Sequence, residues 1–471
     1  MYLGIDVGTS SLKSVLSDDS GKIIATESYS YDLIIPKENW SEQDPDDWYM
    51  AAITTIKSLG KRNDLLKIKG VSFCGQMHGL VVLDKDDKVI RPALLWNDNR
   101  TIAECAYLNN AIGKTNLIKW TGNIAITGFT APKVLWIKNH EHSNFLKIKK
   151  IMLPKDYVAY KMSGQFASDV SDSSGTLYFD VEHKKWSEPM LKVLGINKNQ
   201  LPKIYESYEV IGNVCKEFAK LTGMSTTTKV IIGGGDQAVG AVGTGTVSKD
   251  MLSISLGTSG VVFASGNKFS KIPSGAMHSF CHANGKYHIM GVMLSAAGSF
   301  DWWANDIIRT KHYDDVNKEI ANAKAQNLYF LPYLTGERSP INDPNARGAF
   351  VGLTLSHARG DLSRAVIEGV NFGLLDCLNS INKLGLKPKE ARVIGGGSKS
   401  KIWLNMLANI LGINLHTVNT AEGGALGAII LAMVGCGQYK TVEAACNKII
   451  KIADTYKFNK AAHNQYLIKF N

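Results

Sequence analysis

Along the chain, short apolar runs are punctuated by glycine turns more often than by polar linkers. Residues 2–16, 68–83, 229–247, 251–264 and 391–411 each read as a strand, a tight glycine turn, then a strand or helix. Between them, residues 46–59 and 362–384 carry apolar side chains at helical spacing. Such mixing predicts an α/β protein with helices layered on sheets. The longest apolar stretch, 425–434, is far shorter than the roughly 20 residues a membrane span needs, so no membrane helix is expected.

Two short strings recur in the same order. Ile-Asp-Val-Gly-Thr-Ser at residues 5–10 is echoed by Ile-Ser-Leu-Gly-Thr-Ser at 254–259, each within a strand pattern and each placing Gly-Thr-Ser at the turn. Asp-Gln-Ala-Val-Gly-Ala-Val at 236–242 is echoed by Gly-Gly-Ala-Leu-Gly-Ala-Ile at 423–429, where small residues on one helix face would let two helices approach closely. Self-similarity of this kind indicates a duplicated architecture. Asp6 is matched by Ser255 and Asp236 by Gly423, so the carboxylates survive in the first copy alone. That arrangement predicts two related domains, residues 1–243 and 244–471, around a shared crevice, with the first handling metal and substrate. Whether the last helix packs back on the first domain is left open.

At 471 residues the chain exceeds what one hydrophobic core serves, in keeping with two domains. Its 53 Lys plus Arg against 42 Asp plus Glu give a net charge of +11, but the lysines are scattered and lack interleaved aromatics, which argues against a nucleic-acid surface. Seven widely spaced cysteines with no Cys-x-x-Cys pair suit reduced thiols in a cytosol. The N-terminal run contains Asp6 and lacks a basic start, so a cytoplasmic, unexported protein is expected. His278, Cys281 and His282 lie close together, yet strand alternation would send them to opposite faces, which argues against a zinc site.

Phosphoryl transfer needs backbone N–H groups around phosphates, a magnesium ion near carboxylates and a group that aligns the nucleophile. The turn at Gly8, Thr9 and Ser10 could direct N–H groups at phosphate oxygens, with Gly257, Thr258 and Ser259 as the facing turn. Asp6, just before the first turn, would sit where a hydrated magnesium bridges the phosphates, with Asp236 as the second carboxylate. Asp236 ends a strand after Gly233, Gly234 and Gly235, which would leave it free of bulky neighbours to accept a hydroxyl proton as general base. Helix capping is its plainer role at such a position. Gly395, Gly396 and Gly397 end a later strand and permit close approach of a flat ring, so they are assigned to adenosine.

Two competing motifs fail. Gly113-Lys-Thr lacks the glycine that a Walker loop needs five positions earlier, where Leu108 stands. The string from Gly233 to Ala238 would put Asp236 where a dinucleotide's pyrophosphate binds.

The ordered strings resemble the FGGY family of carbohydrate kinases from residue 1 to about 434. They are Tyr-Leu-Gly-Ile-Asp-Val-Gly-Thr-Ser at 2–10, Trp-Ser-Glu-Gln-Asp-Pro at 40–45, Gly-Gln-Met-His-Gly at 75–79, Leu-Trp-Asn-Asp at 95–98 with Arg100, and Thr-Gly-Phe-Thr-Ala-Pro-Lys at 127–133. Further on come Leu-Pro-Lys-Asp-Tyr at 153–157, Ala-Ser-Asp at 167–169, Gly-Gly-Gly-Asp-Gln at 233–237, Ser-Leu-Gly-Thr-Ser-Gly at 255–260, Pro-Tyr-Leu-Thr-Gly-Glu-Arg at 332–338 and Ile-Gly-Gly-Gly at 394–397. The resemblance implies a duplicated two-domain actin-like ATPase fold of ribonuclease H-like topology, ATP and Mg2+ in the cleft, and a ketopentose deeper against the first domain. It implies that Met77 and His78 contact the sugar, with Trp96, Asp98, Asp236 and Gln237 as further candidates, and that the protein forms a homodimer. The Gln-Met-His loop speaks against glycerol as substrate, because glycerol kinases present an Arg-Glu pair there.

Overall fold

A computed structural model describes residues 1–323, 327–419 and 422–471. In the first half lie strands β1 (Tyr2–Val7), β2 (Ser11–Ser17) and β3 (Ile23–Ser30), helix α1 (Pro45–Gly60), β4 (Gly70–Gly75), helices α2 (Thr130–His140) and α3 (Pro154–Ser163), strands β5 (Val210–Asn213) and β6 (Lys229–Ile231), and helix α4 (Asp236–Gly243). In the second half lie β7 (Met251–Leu256), β8 (Gly260–Gly266), β9 (His278–Cys281), β10 (Tyr287–Met293), helix α5 (Arg359–Lys383), β11 (Glu390–Ile394), α6 (Lys401–Leu411), β12 (Asn414–Val418), α7 (Gly423–Gly435), β13 (Ile452–Tyr456) and α8 (Lys460–Phe470).

The first sheet runs β3-β2-β1-β4-β6-β5 and the second β10-β8-β7-β11-β12-β13, with β9 added outside β10. Pairing directions agree step for step: two antiparallel pairs, two parallel pairs, then an antiparallel edge. The duplication suggested by the Gly-Thr-Ser echo is therefore one of whole sheets. β1 is apolar on both faces because helices cover both, whereas the edge strand β3 alternates half-buried and exposed residues. α1 covers the first sheet near β2 and β3, and its N-terminus is capped by Asp44 with Pro45 in the first turn.

α7 follows the second sheet in sequence yet packs on β1 and β4 of the first and crosses α4. Gly4 makes this possible, since a Cβ there would stand 2.3 Å from the Ala425 carbonyl oxygen. The last helix, α8, stays with the second half: Tyr466, Leu467 and Phe470 join its core, and Lys469 Nζ reaches Glu368 Oε2 at 2.5 Å. The halves also meet along β9, where Asn123 exchanges two hydrogen bonds with Ser279 and Ser174 Oγ accepts from the Cys281 N–H. Among the described residues no helix is long and apolar enough to cross a membrane.

Candidate functional site

Each glycine hairpin is fixed through its carbonyls. Tyr31 OH donates to the Gly8 carbonyl, Gln43 Nε2 to the Thr9 carbonyl at 2.6 Å and Gln76 Nε2 to the Gly8 carbonyl at 3.4 Å. Thr9 Oγ1 donates to Gln76 Oε1 and accepts from Trp96 Nε1 at 3.0 Å. In the second half, the N–H groups of Ala297 and Ala296 donate to the carbonyls of Gly257 and Thr258, both at 2.8 Å. Thr258, Ser259 and Ser10 are exposed at the turn tips. With their carbonyls held by protein, both turns are rigid before any ligand arrives.

Asp6 stands on β1 opposite Lys13 of β2 and Cys74 of β4. Burial raises its carboxyl above the ordinary range, opposed by a hydrogen bond with the Cys74 thiol and by the Lys13 ammonium. Asp236 opens α4. Burial, then the charge of Asp6, pushes its carboxyl up to about 7, against hydrogen bonds from the backbone and side chain of Gln237. The two carboxylates thus sense each other, and α7 begins beside them: a Cβ on Gly424 would lie 2.9 Å from Asp6 Oδ2. Lys13 Nζ bonds Glu422 Oε2 at 2.7 Å at the start of that helix.

The three glycines before Asp236 serve close packing, where the sequence suggested open space. Gly233 has φ +71 and a Cβ there would be 2.0 Å from the Phe73 carbonyl oxygen; at Gly234 it would meet Ser171 Oγ at 2.4 Å, and at Gly235 the Met77 Cγ at 2.9 Å. The turn is pressed against β4 and the loop that carries Met77 and His78. Asp236 is held at a fixed address for that reason.

His78 adopts φ +70 and its Nδ1 lies 2.9 Å from the Gly175 carbonyl. A carbonyl can only accept, so Nδ1 carries the proton and Nε2 is an acceptor. Burial, reinforced by the Lys133 charge, keeps the ring neutral by holding its pKa well below the usual value. The buried Lys133 anchors the loop through the carbonyls of His78 and Gly128, and burial lowers its own pKa to about 7. Met77 is buried beside Gly235 and Gly175. Trp96 remains 47% exposed at the first hairpin. Asp98 is fully buried, accepts from the Ser41 N–H at 2.7 Å and pairs with the Arg100 guanidinium, which also reaches Glu42. Both Asp98 oxygens are taken by protein, so it braces the Trp96 turn and does not present a carboxylate to a ligand.

The third turn also divides by residue. Gly395 has φ +92 and sits 2.6 Å, measured to its ideal Cβ, from the Leu256 carbonyl oxygen, and Gly397 packs on Leu256. Gly396 is exposed with nothing within 4 Å of where a Cβ would be. Gly395 is exposed as well, and Gly396 alone of the three has open space where a side chain would stand.

Several contributors carry no signal in isolation. Gln43, Gln76 and Tyr31 meet at the first hairpin from separate segments, and Gly175 lets His78 approach to a distance that any Cβ would block, 2.3 Å. Lys155 is fully buried and bonds Asp156 at 2.6 Å and Asp169 at 2.9 Å, with Asp172 at 3.9 Å, beneath Asp236. Its cue was the presence of both Leu-Pro-Lys-Asp-Tyr and Ala-Ser-Asp, which the fold joins.

Comparison with known proteins agrees with this geometry. Residues 1–243 match the model of the FGGY family of carbohydrate kinases, N-terminal domain, and residues 252–436 that family's C-terminal domain. The chain is 42% identical over 449 residues to a xylulose kinase of Escherichia coli (strain K12), covering 94% of this chain and 91% of that one. Among solved structures, a ligand-bound xylulose kinase from Lactobacillus acidophilus aligns with TM-score 0.94 at 30% identity, covering 100% and 96% of the two chains. A gluconate kinase from the same organism aligns with TM-score 0.95 at 30% identity over 100% and 96%. The paired sheets, the two held hairpins and the matches over nearly the whole length agree, and the chain belongs to the FGGY family of carbohydrate kinases.

Proposed function

We propose that the protein is a xylulose kinase, transferring the γ-phosphoryl group of ATP to the primary hydroxyl of D-xylulose. The observation that carries this reading is Asp236 at the head of α4, held up to about 7 by burial and by Asp6, the carboxylate on the strand that leads into the first glycine hairpin. A base with that pKa is matched to proton transfer near neutral pH. The Gln-Met-His loop and a relative named xylulose kinase that is 42% identical over 94% of the chain support the sugar assignment.

In this mechanism the sugar lies against Met77, His78 and Gln237. His78 Nε2 accepts a hydrogen bond from a sugar hydroxyl, which orients the ring-opened ketose, while Asp236 takes the proton of the attacking oxygen. The N–H groups of Thr9, Ser10 and residues 257–259 would face the phosphates, the Gly8 N–H being spent on the Ser11 carbonyl at 3.0 Å, and adenosine would rest over Gly396. Mg2+ fits the donor set, because two carboxylates leave room for waters and phosphate oxygens; held by Asp6 with Asp236, it would supply charge neutralisation.

The test is a coupled ADP-release assay across D-xylulose, D-ribulose, L-fuculose and D-gluconate with wild type and Asp236→Ala. D-Xylulose should give the highest kcat/KM, and the variant should be folded and nearly inert. Faster turnover of D-gluconate would overturn the sugar assignment, and near wild-type rates for Asp236→Ala would remove it as base.

A further inference from the structure

The stretch at 168–176, Ser-Asp-Val-Ser-Asp-Ser-Ser-Gly-Thr, is almost wholly polar, yet every one of its polar side chains is buried. By default such a run would lie on the surface, because burying a hydroxyl or carboxylate costs free energy unless hydrogen bonds replace water. Departures of this kind from a local rule gather at functional sites. The run folds as a helical turn, Val170–Ser173, followed by a 3-10 turn, Ser174–Thr176. Asp169 caps the first turn, its Oδ2 accepting from the Ser171 N–H at 2.7 Å.

Asp169 is itself fixed from two other directions. Its Oδ1 lies 2.9 Å from the fully buried Lys155 ammonium, and its Oδ2 also accepts from Ser207 Oγ at 2.7 Å. Lys155 in turn belongs to the segment beneath Met77 and His78: a Cβ on Gly75 would stand 2.6 Å from Lys155 Cβ, and one on Gly79 would stand 2.5 Å from Pro154 Cγ.

From this support two bonds reach the site. The Ser171 hydroxyl donates to Asp169 Oδ2 at 2.6 Å, which leaves its lone pairs for the Gly235 N–H, a donor 3.2 Å away. Gly234 presses on the same oxygen, since a Cβ there would be 2.4 Å from Ser171 Oγ. Four residues on, the Gly175 carbonyl accepts from His78 Nδ1 at 2.9 Å. The peptide that leads into Asp236 and the imidazole that would orient the sugar are thus bonded to one short segment.

We infer that Ser171 is a positioning residue: its hydroxyl holds the Gly235 peptide, and through it the direction of the Asp236 carboxylate, in register with His78. The inference rests on the reading of Asp236 as base. Ser171 is fully buried behind the Gly233 to Gly235 turn, so it acts through Asp236 and not on either substrate. Proton transfer requires hydroxyl and carboxylate at hydrogen-bond distance, so a displaced Asp236 loses rate in the transfer step rather than binding.

The experiment compares Ser171→Ala, Ser171→Cys, Ser207→Ala and Asp236→Ala with wild type in the full chain, measuring kcat, the KM for D-xylulose, the KM for ATP and the melting temperature. Ser207→Ala deletes a hydrogen bond to the same Asp169 oxygen without touching Gly235. Both alanine variants at these serines should therefore melt lower than wild type, each leaving Asp169 short of one donor. Only Ser171→Ala should lose kcat, by about 10- to 100-fold, with both KM values unchanged. Ser171→Cys, which fills the space with a poorer acceptor, should move in the same direction by less, and it carries the test if Ser171→Ala does not fold. A kcat for the Ser171 variants equal to that of Ser207→Ala, or a raised sugar KM at unchanged kcat, would overturn the inference. An inert Asp236→Ala beside fully active Ser171 variants sinks this inference alone, whereas wild-type rates in Asp236→Ala sink the base reading and this inference with it.

Discussion

A Cβ on Gly427 of α7 would stand 1.9 Å from the carbonyl oxygen of Val239 in α4. The contact is reciprocal, because a Cβ on Gly243 of α4 would stand 1.8 Å from the Gly423 carbonyl oxygen of α7. The two glycine-alanine strings that echo each other in sequence are thus the two faces of one helix crossing. α4 begins at Asp236 and α7 begins against Asp6, so backbone-to-backbone contact between them sets how the two carboxylates are spaced.

Gly427→Ala follows directly. The methyl group must push α7 from α4, and overpacking of this kind costs about 1–3 kcal/mol. A lowered melting temperature is expected, and kcat should fall more than the sugar KM, because Asp236 moves with α4 while the His78 loop does not. A variant with wild-type melting and wild-type kcat would show that the crossing is not what spaces the carboxylates.

The acid limb of activity belongs to Asp236. A base must be deprotonated to act, so kcat/KM for sugar should fall about tenfold per pH unit below about 7, the value at which burial and Asp6 hold this carboxyl. Stability responds with the opposite sense. An unfolded Asp titrates near 3.9, so between about pH 4 and 7 the folded state binds more protons than the unfolded one, and stability falls as pH rises through that window. Asp236→Asn removes the titration. Its rate should drop by about 10²- to 10⁴-fold while its ligand-free melting temperature at pH 8 exceeds that of wild type. A ligand-free melt at pH 8 no higher than wild type would mean that the carboxylate is not strained.

The sequence made the sheets and hairpins readable because each is local: a strand, a glycine turn and a second strand lie within 16 residues, and duplication repeats them. The α4 and α7 crossing was readable for the same reason, since the small residues that permit it are contiguous in each helix. The support of the loop at Met77 and His78 was not. His78 depends on the Gly175 carbonyl nearly a hundred residues away, and the first hairpin depends on Tyr31, Gln43 and Gln76, each unremarkable alone. Asp98 misled because a carboxylate next to an exposed tryptophan looks like a ligand group until Arg100 and Ser41 are seen to occupy it. The role of Gly233 to Gly235 was inverted, because absence of a side chain reads equally as room for ligand and as room for protein.

Lys155 should be the most costly of the buried charges to remove. Its ammonium is the cation among Asp156, Asp169 and Asp172, and burial raises both Asp156 and Asp172 against its pull. Lys155→Met leaves those carboxyls uncompensated, a loss of about 3–5 kcal/mol in denaturant unfolding. The sign with pH is fixed by the raised carboxyls: protonation relieves them, so the loss should shrink from pH 8 to pH 5. A loss that grows on acidification would contradict this account.

The third glycine turn allows folding to be tested apart from the proposed nucleotide contact within adjacent residues. Gly395 combines φ +92 with an ideal Cβ 2.6 Å from the Leu256 carbonyl oxygen, so Gly395→Ala strains the backbone and collides with β7, and should lower the melting temperature. Gly396 is exposed and its Cβ would meet nothing within 4 Å, so Gly396→Val has no protein neighbour to disturb. If adenosine rests on that open floor, Gly396→Val should melt like wild type and raise the ATP KM by about tenfold, the effect of one lost apolar contact plus a displaced ring. The sugar KM should stay where it is, since the His78 loop lies in the other half. Equal ATP KM values for Gly396→Val and wild type would move the base away from this turn and leave Gly395 and Gly397 as purely structural glycines.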